Sequence, residues 1–121
     1  MRQLTVLDAA DLSAESTFWS GVLGGTVGEF EDWHMVYVDD EPRLGIQYAP
    51  NHVPPEWPDG AQQQQIHLDL WVRDVKAAHD EVMSLGAKVL DPADLDREAG
   101  FQVYADPAGH PFCLCWKAWE S

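Results

Sequence analysis

Two stretches of this chain carry nearly the same pattern, and that duplication limits the folds open to it. Ala10-Asp11-Leu12, followed by Leu23-Gly24, returns as Arg73-Asp74-Val75 followed by Leu85-Gly86, at offsets of 63 (Asp11 to Asp74) and 62 (Gly24 to Gly86). Val36-Tyr37-Val38-Asp39 returns as Val103-Tyr104-Ala105-Asp106, 67 positions on (Asp39 to Asp106). Two copies of one supersecondary unit predict a pseudo-symmetric domain, and such a domain commonly carries its site where the halves meet.

Length bounds the number of domains. A chain of 121 residues with 45% hydrophobic content supports one domain with a proper core and is too short for two independent ones. No apolar run approaches the roughly 18 residues that cross a bilayer, and no basic segment followed by an apolar one opens the chain, so a cytoplasmic protein without a membrane partner is expected. The two cysteines, Cys113 and Cys115, are one residue apart. On a strand they point the same way without the geometry of an ordinary bridge, which fits free thiols in a reducing compartment. A net charge of −14 repels a phosphate backbone and disfavours nucleic acid as a partner. The same field attracts cationic small molecules, or simply keeps the surface solvated.

Periodicity outlines the path of each half. Residues 4–8 are strand-prone, and Asp11 precedes a stretch whose apolar positions Leu12, Phe18, Trp19, Val22 and Leu23 recur at helical spacing. Gly24 and Gly25 stop that helix, and 26–30, 33–38 and 44–49 alternate as short strands. The first half is therefore βαβββ over about 3–49. Residues 50–64, with Pro50, Pro54, Pro55, Pro58 and four consecutive glutamines, have no apolar period and read as a linker, with Trp57 its one hint of a lid. A strand at 66–72, a helix over 74–85 and strands near 87–90, 100–105 and 111–117 repeat the order over about 65–118. The polar stretch 91–99 is a loop by composition.

Strand alternation separates two faces. Ile66, Leu68, Leu70 and Val72 form an apolar face expected to pack under a helix, whereas His67, Asp69 and Trp71 share the other. Phe112, Leu114 and Trp116 oppose Pro111, Cys113 and Cys115, and Leu44, Ile46 and Tyr48 oppose Gly45, Gln47 and Ala49. An imidazole beside a carboxylate, as His67 and Asp69 offer, acts as a general base, anchors a ligand, or forms an internal hydrogen bond. Among six tryptophans, Trp33, Trp57 and Trp71 fall on segments that would border a cavity, where aromatic walls bind flat or cationic ligands. Trp19, Trp116 and Trp119 read as core or terminal packing. His34 and His110 sit near turns, where exposure is expected, and Asp106-Pro107-Ala108-Gly109 reads as turn chemistry.

Taken in order, Val6-Leu7-Asp8-Ala9-Ala10-Asp11, Phe18-Trp19, Leu23-Gly24, Ile66-His67-Leu68-Asp69, Leu85-Gly86-Ala87 and Asp106-Pro107-Ala108-Gly109-His110-Pro111-Phe112-Cys113 resemble the glyoxalase and bleomycin-resistance family of the vicinal oxygen chelate superfamily, in its glyoxalase-like branch. The resemblance implies an α+β fold in which two βαβββ repeats form a curved eight-stranded mixed sheet around a central cavity, helices outside, with homodimers common. It also implies metal positions on the first and last strand of each repeat, which carry over to Leu4, Gln47, His67 and Cys113. Leu4 binds no cation, Gln47 is a weak neutral donor, and Cys113 must lose a proton to serve. No metal and no other cofactor is therefore expected; zinc on His67 and Cys113, with Cys115 as an added donor, is the form a metal site would take. The expected function is metal-independent binding of a small aromatic or cationic molecule by His67, Asp69, Trp71, Gln47, Cys113 and Trp33. The alternative is a metal-dependent lyase, isomerase or dioxygenase of the same superfamily.

Overall fold

The computed structural model describes residues 1–117, so Trp119 lies outside the described residues. The chain divides into two compact units, Met1–Val53 and a second beginning at Pro54. Each contains one βαβββ module, and the Pro-rich stretch from 54 onward goes with the second. The first module runs β1 (Thr5–Ala9), α1 (Leu12–Leu23), β2 (Thr26–Phe30), β3 (Trp33–Val38) and β4 (Glu41–Tyr48). The second runs β5 (Leu68–Trp71), α2 (Val75–Ser84), β6 (Lys88–Asp91), β7 (Gly100–Ala105) and β8 (Pro111–Trp116). The α+β class and the eight strands are as the sequence implies. Their hydrogen bonds join them as two mixed sheets of four, ordered β1-β4-β3-β2 and β5-β8-β7-β6, because each last strand pairs in parallel with the first strand of its own module.

The helices start where the aspartates direct. Asp11 and Asp74 are both N-caps, their carboxylates accepting from the backbone N–H of Ala14 at 3.0 Å and Ala77 at 3.1 Å. Gly24 ends α1 in the left-handed region, φ 69°, a conformation that costs glycine little. Phe18 and Trp19 are each 1% exposed and meet edge to face with centroids 5.1 Å apart. Burying such a ring contributes about 1.5–3 kcal/mol. Under α2, Tyr104 and Phe112, both wholly buried, stack at 5.3 Å.

Several boundaries depart from the sequence pattern for identifiable reasons. β4 begins at Glu41 rather than 44, because Asp39 and Asp40 both take positive φ (51° and 63°) and close a two-residue hairpin between Val38 and Glu41. β5 begins at Leu68 rather than 66. β8 opens at Pro111, which has no N–H to donate, so pairing with β5 starts at Leu68 and Phe112. Ile66 is consequently 66% exposed instead of packed under a helix. His34, expected in solvent, is buried, with its Nδ1 2.8 Å from Ser16 Oγ, since β3 lies beneath α1 at that point.

Asp106 fulfils the turn role. Its side chain is buried and Oδ1 accepts from the N–H of Ala108 (3.0 Å) and His110 (2.8 Å), while Gly109 turns with φ 89°. Asp106→Ala leaves those donors without their acceptor, so urea unfolding should show a loss of about 1–3 kcal/mol.

Candidate functional site

Strand pairing in the second module lays its side chains out in two rungs. Asp69 on β5, Cys113 on β8 and Val103 on β7 are successive cross-strand partners; Trp71, Cys115 and Phe101 form the next rung. All six project on one face, because residues two apart on a strand share a side. Trp57 and Gln64 come over this face from the Pro-rich segment, and Trp57 packs with Leu90 against Val103, Cys113 and Cys115. The result is a pocket of about 380 Å³ bounded by Trp57, Trp71, Phe101 and Val103, with His67, Asp69, Gln64 and the two thiols among its walls.

Asp69 is the electrostatic centre. Its Oδ1 lies 3.1 Å from His67 Nε2, and a carboxylate oxygen and the Cys113 sulfur lie within 4.8 Å of each other. Burial, followed by the Asp69 charge, pushes Cys113 up to about 12 and Cys115 up to about 11 from an ordinary thiol value of 9.0. Both are neutral thiols at neutral pH, which makes them poor nucleophiles. Gln64, one of the lining residues, also has a buried amide oxygen with no hydrogen-bond partner.

The raised thiols have a consequence for stability. A group that ionises later in the folded state than in the unfolded chain gives stability that is whole below the unfolded value, near 9, and falls as pH climbs toward the folded value. Urea midpoints should therefore drop between about pH 9 and pH 12. A Cys113→Ser, Cys115→Ser double variant should show a shallower decline.

The first module repeats the frame without its polar groups. With the N-caps 63 positions apart, Asp69 corresponds to Val6, and the matching registers Val6 to Gly45 and Asp69 to Cys113 make Gly45 the equivalent of Cys113. Gln47 is thus the equivalent of Cys115, two residues from the position the family resemblance assigns to it. A Cβ at Gly45 would run into the indole of Trp33, which fills the space over that glycine. Gln47 and Trp33 are cross-strand partners, so the structure brings these two together in the first module. His67, Asp69, Trp71 and Cys113 meet in the second. Leu4, Val6 and Gly45 stand where His67, Asp69 and Cys113 stand in the other copy, and none offers a side-chain donor atom.

Phe101, Val103 and Gln64 escaped the sequence pattern as site residues. The alternation of 100–105 puts Phe101 and Val103 on one side, but without the register nothing distinguishes the pocket side from the helix side. The Val-Tyr repeat adds to this, since its 67-residue offset is one short of the structural one. Val36, paired with Val27 and Leu44, corresponds to Tyr104, paired with Val89 and Phe112, so the repeated letters are one residue out of the structural register.

The fold of paired βαβββ modules and this one-sided site define a protein of the vicinal oxygen chelate class. A sequence model of the glyoxalase-like domain matches residues 4–115, and the chain belongs to that family. The fold is similar to that of a fosfomycin resistance protein, FosX, from Mesorhizobium loti (16% identity, 98% of this chain and 92% of that one, TM-score 0.70). It is also similar to a glyoxalase-related enzyme from Fulvimarina pelagi (18%, 97% and 88%, TM-score 0.69). A glyoxalase/bleomycin resistance protein from Albidiferax ferrireducens is a third (15%, 97% and 98%, TM-score 0.64). No functionally curated protein matches the chain. Among the described residues, no helix is long and apolar enough to cross a membrane.

Proposed function

We propose that this protein binds a small aromatic cation in the second-module pocket without the help of a metal. One observation carries the proposal: the aromatic side chains of Trp57, Trp71 and Phe101 line the same pocket as the carboxylate of Asp69. Indole faces attract cations, and a carboxylate beside them adds a charge-assisted hydrogen bond to an N–H donor. The net charge of −14 favours capture of the same class of molecule. Solved structures of similar fold are named for resistance to fosfomycin and bleomycin, which supports a small-molecule ligand. Trp33 and Gln47 offer an indole and an amide in the first module, and a contribution from them to ligand binding belongs to the proposal. A cytoplasmic setting, where Cys113 and Cys115 stay reduced, and a homodimer complete it; sedimentation tests the latter.

Tryptophan fluorescence titrated with protonated aryl amines should change saturably in the wild type and much less in Trp71→Leu. A flat response over a broad panel would remove the proposal's support.

A second reading, zinc-dependent chemistry, is favoured by the convergence of His67, Asp69 and Cys113, whose donor atoms lie within 4.8 Å of one another. Imidazole, carboxylate and thiol are a donor set that zinc accepts, and three protein ligands leave a position open, so these residues fit the ion. Bound there, zinc would supply Lewis-acid polarisation of a substrate oxygen. Against it stand the three donorless counterparts Leu4, Val6 and Gly45 and a Cys113 proton that must be displaced. Elemental analysis of protein purified without chelator separates the readings: near-stoichiometric zinc, lost in His67→Ala, would replace the first with the second.

A further inference from the structure

Cys113 and Cys115 are two free thiols on one face of one strand, each at most 6% exposed, at the floor of an aromatic pocket. As alternate residues of β8 their Cα atoms stand about 6.6 Å apart, from the rise of a strand. A disulfide wants Cβ atoms about 3.8 Å apart, so the extended backbone keeps the pair reduced. One atom bonded to both sulfurs spans the gap that a direct bond does not.

We propose that Cys113 and Cys115 form a dithiol site for a trivalent aryl arsenical, R–As(OH)2, with the aryl group against Trp57, Trp71 and Phe101. The proposal rests on the pocket being a ligand site and assigns it a further ligand class. Two As–O bonds break and two As–S bonds form. Each thiol proton leaves with a hydroxide as water, and arsenic remains trivalent. Dithiol, arsenical and adduct are all uncharged. That matters because Val103, Leu90 and Trp57 enclose the sulfurs, and an apolar enclosure penalises charged species far more than neutral ones. A carboxylate oxygen of Asp69, within 4.8 Å of the Cys113 sulfur, stands where a proton passes from sulfur to the departing hydroxide.

The probe is phenylarsine oxide, with adducts counted by mass spectrometry after a chase with excess glutathione. One phenylarsenic group per chain should survive the chase in the wild type and be released by the dithiol dimercaptopropanol. Cys113→Ser and Cys115→Ser should each retain it about a hundredfold less, since one sulfur alone loses the advantage of a second tethered partner. No adduct in the wild type, two adducts per chain, or full retention by either variant would overturn the proposal. The release by dimercaptopropanol needs no variant, so a misfolded serine mutant does not blunt the test. An arsenic-free aryl amine, followed by tryptophan fluorescence, distinguishes the two levels. Binding of the amine without an arsenic adduct sinks the dithiol site alone, whereas silence from both probes sinks the pocket with it.

Discussion

Asp69→Asn is expected to weaken binding of a cationic aryl amine by about 10- to 150-fold, the equivalent of the roughly 1.5–3 kcal/mol that a hydrogen bond to a charged group contributes. Asparagine keeps the shape of the side chain and an acceptor oxygen, so the loss reports the charge. The substitution carries a second signature. The Asp69 charge is one cause of the high Cys113 and Cys115 values, after burial, so the thiols of the asparagine variant should ionise at lower pH. Iodoacetamide alkylation of the variant should then outpace that of the wild type at pH 8 to 9. Titration calorimetry beside the alkylation rates checks both. Unchanged affinity together with faster alkylation would show that Asp69 governs the cysteines and not the ligand.

Phe112→Ala is expected to cost about 3–5 kcal/mol in urea unfolding, the range for truncating a buried aromatic. Phe112 is wholly buried on β8, stacks on Tyr104 and opens the β5–β8 ladder opposite Leu68. The position also links stability to the site, because β8 carries Cys113 and Cys115 on its other face. Around Tyr104 lies a polar cluster: His79 Nδ1 is 2.6 Å from its hydroxyl, and Gln102 donates to that hydroxyl at 2.8 Å. Gln102 also accepts from the N–H of Ala93, 2.7 Å away, which fastens the 91–99 loop to β7. A cavity at 112 loosens this arrangement as well, so a loss below about 1 kcal/mol would contradict the packing described.

Most of the architecture was legible in the sequence because it depends on local rules. Asp11, Asp74 and Gly24 mark helix ends by capping chemistry, and alternation marks strands; both act within a few residues. Pocket membership was legible where a polar residue interrupts an apolar strand, as at His67 and Asp69. It was hidden where the site is built of the same residue types as the core, as at Phe101 and Val103. His34 misled because its nearness in sequence to a turn says nothing of the helix that covers it. The exchange of Gln47's equivalent from Cys113 to Cys115 was hidden for another reason: register is fixed by pairing across strands, and a shift of two residues preserves every hydrophobic pattern.

The central claim is that the cationic aryl group is held in the second copy of this duplicated chain, between indole walls and Asp69. The most direct measurement is an NMR titration of the indole N–H resonances with a protonated aryl amine. Trp57 and Trp71 should shift progressively and saturate together, while Trp19 and Trp116, buried in packing and, for Trp116, bonded to the Arg97 carbonyl at 2.9 Å, stay in place. Saturable binding that leaves Trp57 and Trp71 unmoved would contradict the account.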